Sequence, residues 1–538
     1  MQNKTMSIYI DRLTTLRKAM TDHQVNALII PQTDDCDIAP YCGLDASAGY
    51  VVVTPDKAVV LIDGRYSVQA KEQVDTSVFD VEFYTDILPE DWAMKNMKSD
   101  GVLGFDPWLH THREVKRFTD KNIAITSCDT IIEKKSYPPA KAIAHDLKFA
   151  GKTTAEKIKI VAKDCQNKIL ITAPDSLAWI LNLRDLSNPQ SPGIKGCGII
   201  DPTTNTMDVY TDMDCSAFYG DNIHFYLKND FKNDAQNIDI NINSPYYYKG
   251  NLIDKNPCSL AKSMKNKVEQ DGIRAAHDRD GKAVTDTINW IKSTPSITEK
   301  DIAEKLISER AKNNLFRGTS FDSIVGFNAN GAKIHGNPTD TKIKGNGLLL
   351  IDSGGQYDDG TTDITRTIAI GTPTDEMREK YTLVLKAHIA LATAIFPAGT
   401  TGIQLDAICR APLWAAGIDF AHGTGHGVGY FLNVHEGPCG ISPRSGEPLS
   451  EGQLLSNEPG YYEQGAFGIR LENLMLVQKY MDKDDPQNKT GKDLLCFETV
   501  TKVPFDEDCI IWEMLSEKER GWLESYQKLS AEPSDGFD

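Results

Sequence analysis

Leu348-Leu349-Leu350-Ile351-Asp352-Ser353-Gly354-Gly355-Gln356-Tyr357-Asp358-Asp359-Gly360-Thr361-Thr362-Asp363-Ile364-Thr365-Arg366-Thr367 decides how this chain is read. Residues 348–351 form a short apolar run of the kind a buried strand needs. Gly354, Gly355 and Gly360 bracket a turn, and residues 361–370, rich in Thr and Ile, predict a second strand. Such a hairpin brings Asp352 and Asp363 close together. Two carboxylates facing each other in an apolar setting repel, and they need a proton or a cation between them.

Working outward, three further pieces supply partners: His422-Gly423-Thr424-Gly425-His426-Gly427-Val428-Gly429, Ser456-Asn457-Glu458-Pro459-Gly460-Tyr461-Tyr462 and Phe467-Gly468-Ile469-Arg470-Leu471-Glu472-Asn473. The order of candidate ligands is then Asp352, Asp363, His426, Glu458, Glu472. Four carboxylates match the charge of two divalent cations. Oxygen-rich ligation with a single imidazole suits Mn²⁺, Co²⁺ or Fe²⁺ better than a thiolate-type zinc site. A two-metal centre can hold an activated hydroxide and polarise a carbonyl at once.

These pieces, in this order, resemble the five-ligand site of the pita-bread metallopeptidases: methionine aminopeptidase, prolidase and aminopeptidase P. The run from His422 to Gly440, with Phe431-Leu432-Asn433-Val434-His435-Glu436-Gly437-Pro438, resembles the three-domain, cytosolic-type aminopeptidase P most closely. The resemblance implies an α/β (α+β) chain with two N-terminal α/β creatinase-like domains followed by a C-terminal pita-bread catalytic domain. It implies two divalent metal ions, Mn²⁺ first and Co²⁺, Fe²⁺ or Zn²⁺ as alternatives, held by the five ligands with Asp363 and Glu472 bridging. It further implies removal of the N-terminal residue from peptides with proline second: a metal-bridging hydroxide attacks the carbonyl before proline, Glu458 handles its proton, and the free amino terminus meets the metals. His335 and His435 then stabilise the oxyanion and position the substrate, and His422 is a pocket wall or hydrogen-bond donor. Arg470, two residues before Glu472, either orients a carboxylate or meets substrate. Trp414 and Arg65 resemble positions that shape substrate selection, Arg65 across a homodimer.

Composition sets limits around this reading. At 538 residues the chain is too long for one core, and about three domains is the natural expectation. A net charge of −18, from 58 basic and 76 acidic residues, argues against nucleic acid or an anionic membrane as the main partner. Eleven cysteines without a CxxC suggest reduced thiols. No apolar signal core leads the chain, and no run approaches a membrane span. The compartment expected is the cytoplasm.

Residues 8–20 read as an amphipathic helix, 26–31 as a buried strand, and 50–54 and 58–62 as two further strands. Gly43-Leu44-Asp45-Ala46-Ser47-Ala48-Gly49, followed by those strands and Asp63-Gly64-Arg65-Tyr66, resembles the first domain of aminopeptidase P. The chain departs from that pattern at 40–44, where the family's Arg- and aromatic-bearing run is shortened. Lys134 to Pro139 reads as a linker. A second α/β unit follows, with helices at 152–164 and 176–183 and strands at 168–172, 198–201 and 206–211; residues 229–243 read as a loop or irregular edge strand. Long helices are expected at 268–293, 302–313 and 373–396, with His388 a core or boundary histidine. The division expected is 1–134, 135–264 and 265–538, with a frayed tail beyond 532.

Several tempting motifs fail. Gly151-Lys152-Thr153 lacks the first P-loop glycine, because position 146 is Asp. Val428 breaks a GxGxxG, His435-Glu436 lacks the second histidine of HExxH, and no GxSxG occurs. Cys439 is an unneeded nucleophile beside an activated hydroxide. The alternatives are prolidase, which cleaves only dipeptides and has one N-terminal domain rather than two, and a non-catalytic peptide-binding scaffold, which would be expected to lose ligands.

Overall fold

The computed structural model describes residues 2–138, 140–215, 218, 222–233 and 237–531, with side chains from residue 8 onward. The chain divides into two compact units: Met1–Pro138 with Gln166–Thr172 and Asn229–Asn256, and Pro139–Cys165 with Ala173–Lys228 and Pro257–Asp538.

In the first unit a six-stranded mixed sheet forms in the order Asp80–Phe83, Ala58–Ile62, Tyr50–Val53, Ala27–Pro31, Val102–Phe105, Ala124–Ser127. The run Ala27–Pro31 is buried along its whole length, as its unbroken apolar sequence requires of a central strand. Leu13, Leu16 and Met20 of the helix Gln2–Asp22 pack on one face, and Trp92, Phe105 and Phe118 belong to a second apolar cluster. The same unit carries three parallel strands, Lys168–Ile171, Ile238–Asn241 and Asn251–Ile253. Residues 238–241 pair on both sides, so this part of the Asn-rich tract is an interior strand rather than a loop or an edge. Its alternating Ile238 and Ile240 supply the apolar face, and Asn241 holds the Ile253 and Asp254 carbonyls. Residues 234–236 of the tract, like the tail from 532, lie outside the described residues.

In the second unit the helices Thr154–Ala162 and Pro174–Leu181 accompany the strands Cys197–Asp201, Thr206–Tyr210 and Ile223–Tyr226. Two long helices follow, Lys267–Ser293 and Glu299–Arg310, each opened by a capping box. They pack beside the antiparallel sheet Ile324–Phe327, Gly347–Ser353, Ile364–Ile370. A second sheet runs Ile395–Pro397, Leu494–Thr499, Asn473–Met481, Leu454–Asn457. The helices Asp375–Ala392 and Gly402–Ala415 share the main apolar core with it, and Leu523 and Tyr526 of the helix Glu517–Ala531 join them.

Local chemistry moves several boundaries. The helix expected over 373–396 begins at Asp375, because the Thr374 hydroxyl caps it, and it ends at Ala392. Residues 395–397 then leave the helix to pair with the strand Leu494–Thr499. The strand expected from Thr361 is broken in two. Gly360–Thr361 pairs with Gly355–Tyr357, whereas Ile364–Ile370 pairs with Gly347–Ser353. Thr362 makes the switch: its hydroxyl donates to Asp280 Oδ2 at 2.8 Å and accepts from the Gly355 amide at 2.9 Å. Asp363 therefore sits at the junction of two sheets, not inside one strand. His335, expected on a strand-like segment, lies in a turn after the short helix Asn328–Ala332, closed by the Gly336 amide on the Lys333 carbonyl.

Candidate metal centre

All five candidate ligands sit where strands end. Asp352 is the penultimate residue of Gly347–Ser353 and stands opposite Thr365. Asp363 precedes Ile364–Ile370, His426 closes Gly425–His426, Glu458 follows Leu454–Asn457, and Glu472 joins Phe467–Arg470 to Asn473–Met481. Backbone bonds lock these ends together: the Glu458 amide donates to the Thr424 carbonyl at 2.8 Å, and the Glu472 amide to the Thr365 carbonyl at 3.0 Å. Strand ends held this way are rigid, which a site of fixed geometry needs. Two glycines allow the close approach. A Cβ on Gly425 would lie 2.0 Å from the Ser456 carbonyl oxygen, and one on Gly427 would lie 2.2 Å from that of Glu436.

The ligating atoms of Asp363, His426 and Glu472 all lie within 4.8 Å of one another. His426 Nε2 stands 3.4 Å from Asp363 Oδ2 and 3.6 Å from Glu458 Oε1. Its other nitrogen donates to the Gly427 carbonyl at 3.0 Å, so Nε2 is the ring nitrogen that faces the carboxylates. Asp352 Oδ2 accepts from Arg470 Nη2 at 2.6 Å, while its Oδ1 is buried without a hydrogen-bond partner. A buried carboxylate oxygen with no donor calls for a cation or a proton.

Electrostatics within the cluster points the same way. Burial raises the Asp352 carboxyl to about 6, with Arg470 opposing and Asp363 adding to the rise. Burial likewise lifts Glu458 to about 7, and Asp363 and Asp352 add to it. Glu472 is driven well above the usual carboxylate range by burial, then by Asp363, Glu458 and Asp352. His426 moves up to about 9 although burial opposes this, because Asp363 and Glu458 favour its charged form. The side chains alone thus hold surplus negative charge and retain protons to offset it. Four carboxylates and one imidazole, one oxygen lacking a donor, fit two divalent oxygen-loving cations.

Around the cluster stand the other candidates. His435 is exposed, and its ring packs edge-on against His426 with centroids 4.2 Å apart. His335 is half-buried and close enough to His422 to disfavour its protonation. His422 uses both ring nitrogens: Nδ1 donates to the Gly423 carbonyl at 2.8 Å, and Nε2 meets the Tyr462 hydroxyl at 2.8 Å. Arg470 Nη1 donates to that same hydroxyl, so the Tyr462 O–H donates its hydrogen bond to His422 Nε2. Burial, then Arg470, keeps His422 well below the usual histidine range and neutral. Arg470 is itself buried and committed to Asp352, Tyr462 and the Thr365 hydroxyl. Trp414 does not join this group. It lies half-exposed on the outer side of Gly402–Ala415, whereas the inner side sends Asp406 and Arg410 to hold Thr424 and the His422 carbonyl. Arg65 belongs to the first unit, where it pairs with Asp63 at 2.7 Å. Cys439 is buried and its thiol is pushed up to about 11, which leaves no thiolate at neutral pH.

Sequence reasoning missed the residues that aim the ligands. Thr365 Oγ1 donates to Glu472 Oε2 at 2.7 Å, and Arg366 donates to the Glu472 carbonyl at 2.6 Å. His388, fully buried, donates from Nδ1 to the Leu471 carbonyl at 3.1 Å and accepts from Asn473 at Nε2. Its own carbonyl accepts from Asn457, so one helix residue braces the neighbours of both glutamates. The only signal was an isolated histidine in an apolar stripe, which does not name its partners. Tyr462 was findable in part, since Gly460 opposite Arg470 predicts a hairpin that brings position 462 back towards it.

Comparisons with known proteins agree with this geometry. The model described as metallopeptidase family M24 matches residues 271–479, and that for the C-terminal region of this peptidase class matches 493–530. Models for the creatinase/prolidase N-terminal domain match twice, at 12–135 and 133–269. A probable Xaa-Pro aminopeptidase P of Laccaria bicolor is 35% identical over 96% of this chain and 89% of its own length. One from Aspergillus niger is 34% identical over 96% and 94%. The solved X-prolyl aminopeptidase of Caenorhabditis elegans, described as a cytosolic enzyme with a di-nuclear active site, superposes with a TM-score of 0.89 at 28% identity, covering 97% of this chain and 95% of that one.

Proposed function

The chain belongs to metallopeptidase family M24, with two creatinase-type N-terminal domains ahead of the peptidase domain, and from that premise we propose that it is an Xaa-Pro aminopeptidase. It hydrolyses the bond between the first residue of a peptide and a proline in second position. The observation that carries this reading is the cluster of buried Asp352, Asp363 and Glu472 with half-buried His426 and Glu458, whose acidic excess the neighbouring cationic side chains do not offset. We divide the chain at 134/135 and 264/265 into two α/β domains and the catalytic domain.

The five side chains Asp352, Asp363, His426, Glu458 and Glu472 would hold two divalent cations, Mn²⁺ by preference and Co²⁺, Fe²⁺ or Zn²⁺ otherwise. When bound, the cations lower the pKa of the attacking water and polarise the scissile carbonyl. The chain's own residues do the rest. Glu458 takes the attacking water's proton at a carboxylate oxygen and returns it to the departing proline nitrogen. His435, exposed beside His426, and His335 donate to the carbonyl oxygen as negative charge grows there. The free α-amino group would meet the cations these side chains hold, which favours exopeptidase over endopeptidase cleavage. Arg470 keeps Asp352 oriented and ties it through Tyr462 to His422, which walls the pocket. Because an Xaa-Pro bond has no N–H and a fixed φ, binding must rely on shape and on the carbonyl rather than on an amide donor.

We further propose that the enzyme works in the cytosol as a homodimer. The C. elegans relative, described as cytosolic, supports the compartment, and the exposed apolar side chains Ile403 and Trp414 of Gly402–Ala415 are available for a subunit contact. Trp414 would shape substrate selection, and Arg65 would do so across that dimer.

The test uses metal-stripped protein, with and without Mn²⁺, on Arg-Pro-Pro, Arg-Pro and Met-Ala-Ser. Mn²⁺-dependent release of Arg from the tripeptide, with little action on the other two, is expected. Cleavage of Arg-Pro alone would replace the reading with a prolidase. Cleavage of Met-Ala-Ser would replace it with methionine removal, and binding without turnover would indicate a scaffold.

A further inference from the structure

We propose that Glu436, clamped between Lys262 and Lys265, is a positioning residue that fixes the His435 imidazole at the metal centre. The proposal rests on the role given to His435 above. His435 is exposed, and the loop that carries it sets where its ring stands beside His426. Its sequence neighbour provides the anchor. The Glu436 side chain is buried, and its Oε2 accepts from Lys262 Nζ at 2.8 Å while Oε1 accepts from Lys265 Nζ. Both lysines are themselves buried. A second carboxylate, Asp175, receives Lys262 from the other side. The group is balanced, with two ammonium ions against two carboxylates.

The backbone continues the restraint. The Glu436 amide donates to the Gly427 carbonyl at 2.7 Å, and the Gly427 amide to the Cys439 carbonyl at 3.1 Å. Gly427 adjoins His426, so the clamp and the ligand share one short stretch of chain. Further back, Phe431 holds a left-handed φ of 49°, which a bulky residue adopts only under restraint. Arg184, fully buried, supplies it by donating to the Tyr430 carbonyl at 3.0 Å and to the Phe431 carbonyl. Gln356 holds the Leu432 carbonyl at 2.6 Å.

Lys262, Lys265 and Arg184 all precede the stretch matched by the peptidase model and lie within the second N-terminal-domain match. That second stretch of sequence thus contributes directly to the geometry of the reaction. A loop pinned by charge on one side and by a buried guanidinium on the other presents His435 in one place. Misplacing a group by about 1 Å can cost on the order of 10² in rate.

The test compares Glu436→Gln, Lys265→Met/Glu436→Gln and Lys265→Arg in the full-length Mn²⁺-loaded protein, measuring kcat, KM, bound metal and Tm. The double variant removes one charge of each sign and leaves Lys262 with Asp175, so its fold does not carry a lone buried ion. We expect both Gln variants to lose 10- to 100-fold in kcat, with KM within threefold and full metal content, and Lys265→Arg to retain at least a third of the parent's kcat. Adding His435→Ala to Glu436→Gln should bring no further loss beyond His435→Ala alone. A kcat within threefold of the parent in the double variant overturns the clamp while leaving His435 in place. Loss of metal in proportion to activity, or multiplicative losses with His435→Ala, overturns it as well. An unchanged kcat in His435→Ala removes the role of His435 and the clamp with it.

Discussion

Asp280 and Asp352 are both buried, both are gripped by an arginine, and their carboxyls shift in opposite directions. Asp280 meets Arg310 through Nε at 2.6 Å and Nη2 at 3.0 Å, and it also accepts from Tyr357 and Thr362. Burial would raise it, but Arg310 and the hydrogen bonds win, and it sits below the usual carboxylate range. Asp352 has Arg470 at 2.6 Å and still rises to about 6. The difference lies in the neighbours. Asp280 has its counter-charge to itself, whereas Asp352 shares Arg470 with Glu458 and has Asp363 raising it as well. Asp280, satisfied by the fold, is structural, whereas Asp352, short of counter-charge among other ligand-type groups, lies where a cation fits.

The largest effect that should separate the two regions comes from Glu472→Gln. Activity should fall by at least ~10³-fold, because metal-derived charge stabilisation is worth several kcal/mol. Bound Mn²⁺ measured by elemental analysis should fall with it, while circular dichroism stays native. Retained metal with full turnover would dissolve the distinction.

Next comes Arg310→Met. Leaving Asp280 buried without its partner should destabilise the protein by about 3–5 kcal/mol in denaturant unfolding. Arg470→Met should cost clearly less stability in the metal-loaded protein, where Asp352 keeps a cation, yet should slow turnover. Equal stability losses for the two would contradict the comparison.

The third prediction concerns pH. Glu458 is raised from 4.5 to about 7 on folding. A carboxyl raised on folding binds more protons in the native state, so its cost is absent below the unfolded value and accrues as pH rises through the folded one. Metal-stripped parent should therefore lose stability relative to metal-stripped Glu458→Gln between about pH 4.5 and 7, by at most on the order of 3 kcal/mol. Thermal unfolding of the two proteins across that range would show it. Parallel curves would mean that the surplus charge is already neutralised. Asp280, lowered on folding, behaves oppositely: its contribution is present above the unfolded value of 3.8 and is lost as pH falls below it.

The smallest effect is a control. Lys282 and Asp286 form an exposed i,i+4 pair at 2.7 Å. Lys282→Ala should change stability by no more than about 0.5 kcal/mol and leave turnover intact. A larger change would mean that solvent exposure does not separate the pairs as supposed.

Much of the fold could be read from local patterns. The unbroken apolar runs at 27–31 and 348–351 form central, fully buried strands. The helix Lys267–Ser293 starts within one residue of its expected position, because Asn266 and Glu269 form a capping box that local sequence specifies. Errors arose where a side chain or a distant strand overrode the local pattern. Thr362 broke a Thr/Ile-rich strand by reaching Asp280, far away in sequence, and Thr374 displaced Pro373 from the first helical turn. Ile238–Asn241 looked like loop because its Asn and Asp content is unfavourable to strands in isolation, and pairing on both sides outweighed that.

The sequence by itself determined the order and chemical type of the five candidate ligands, the glycines that let them approach, and the α/β character of the chain. These depend on residue identity and short-range spacing, which the letters carry directly. Only the tertiary structure decided which acids are balanced and which are not. Arg310 lies 30 residues from Asp280, Arg470 lies 118 from Asp352, and Lys262 lies 174 from Glu436. The energy of a buried charge depends on the distance and number of its counter-charges, and those are set by how strands far apart in sequence are brought side by side.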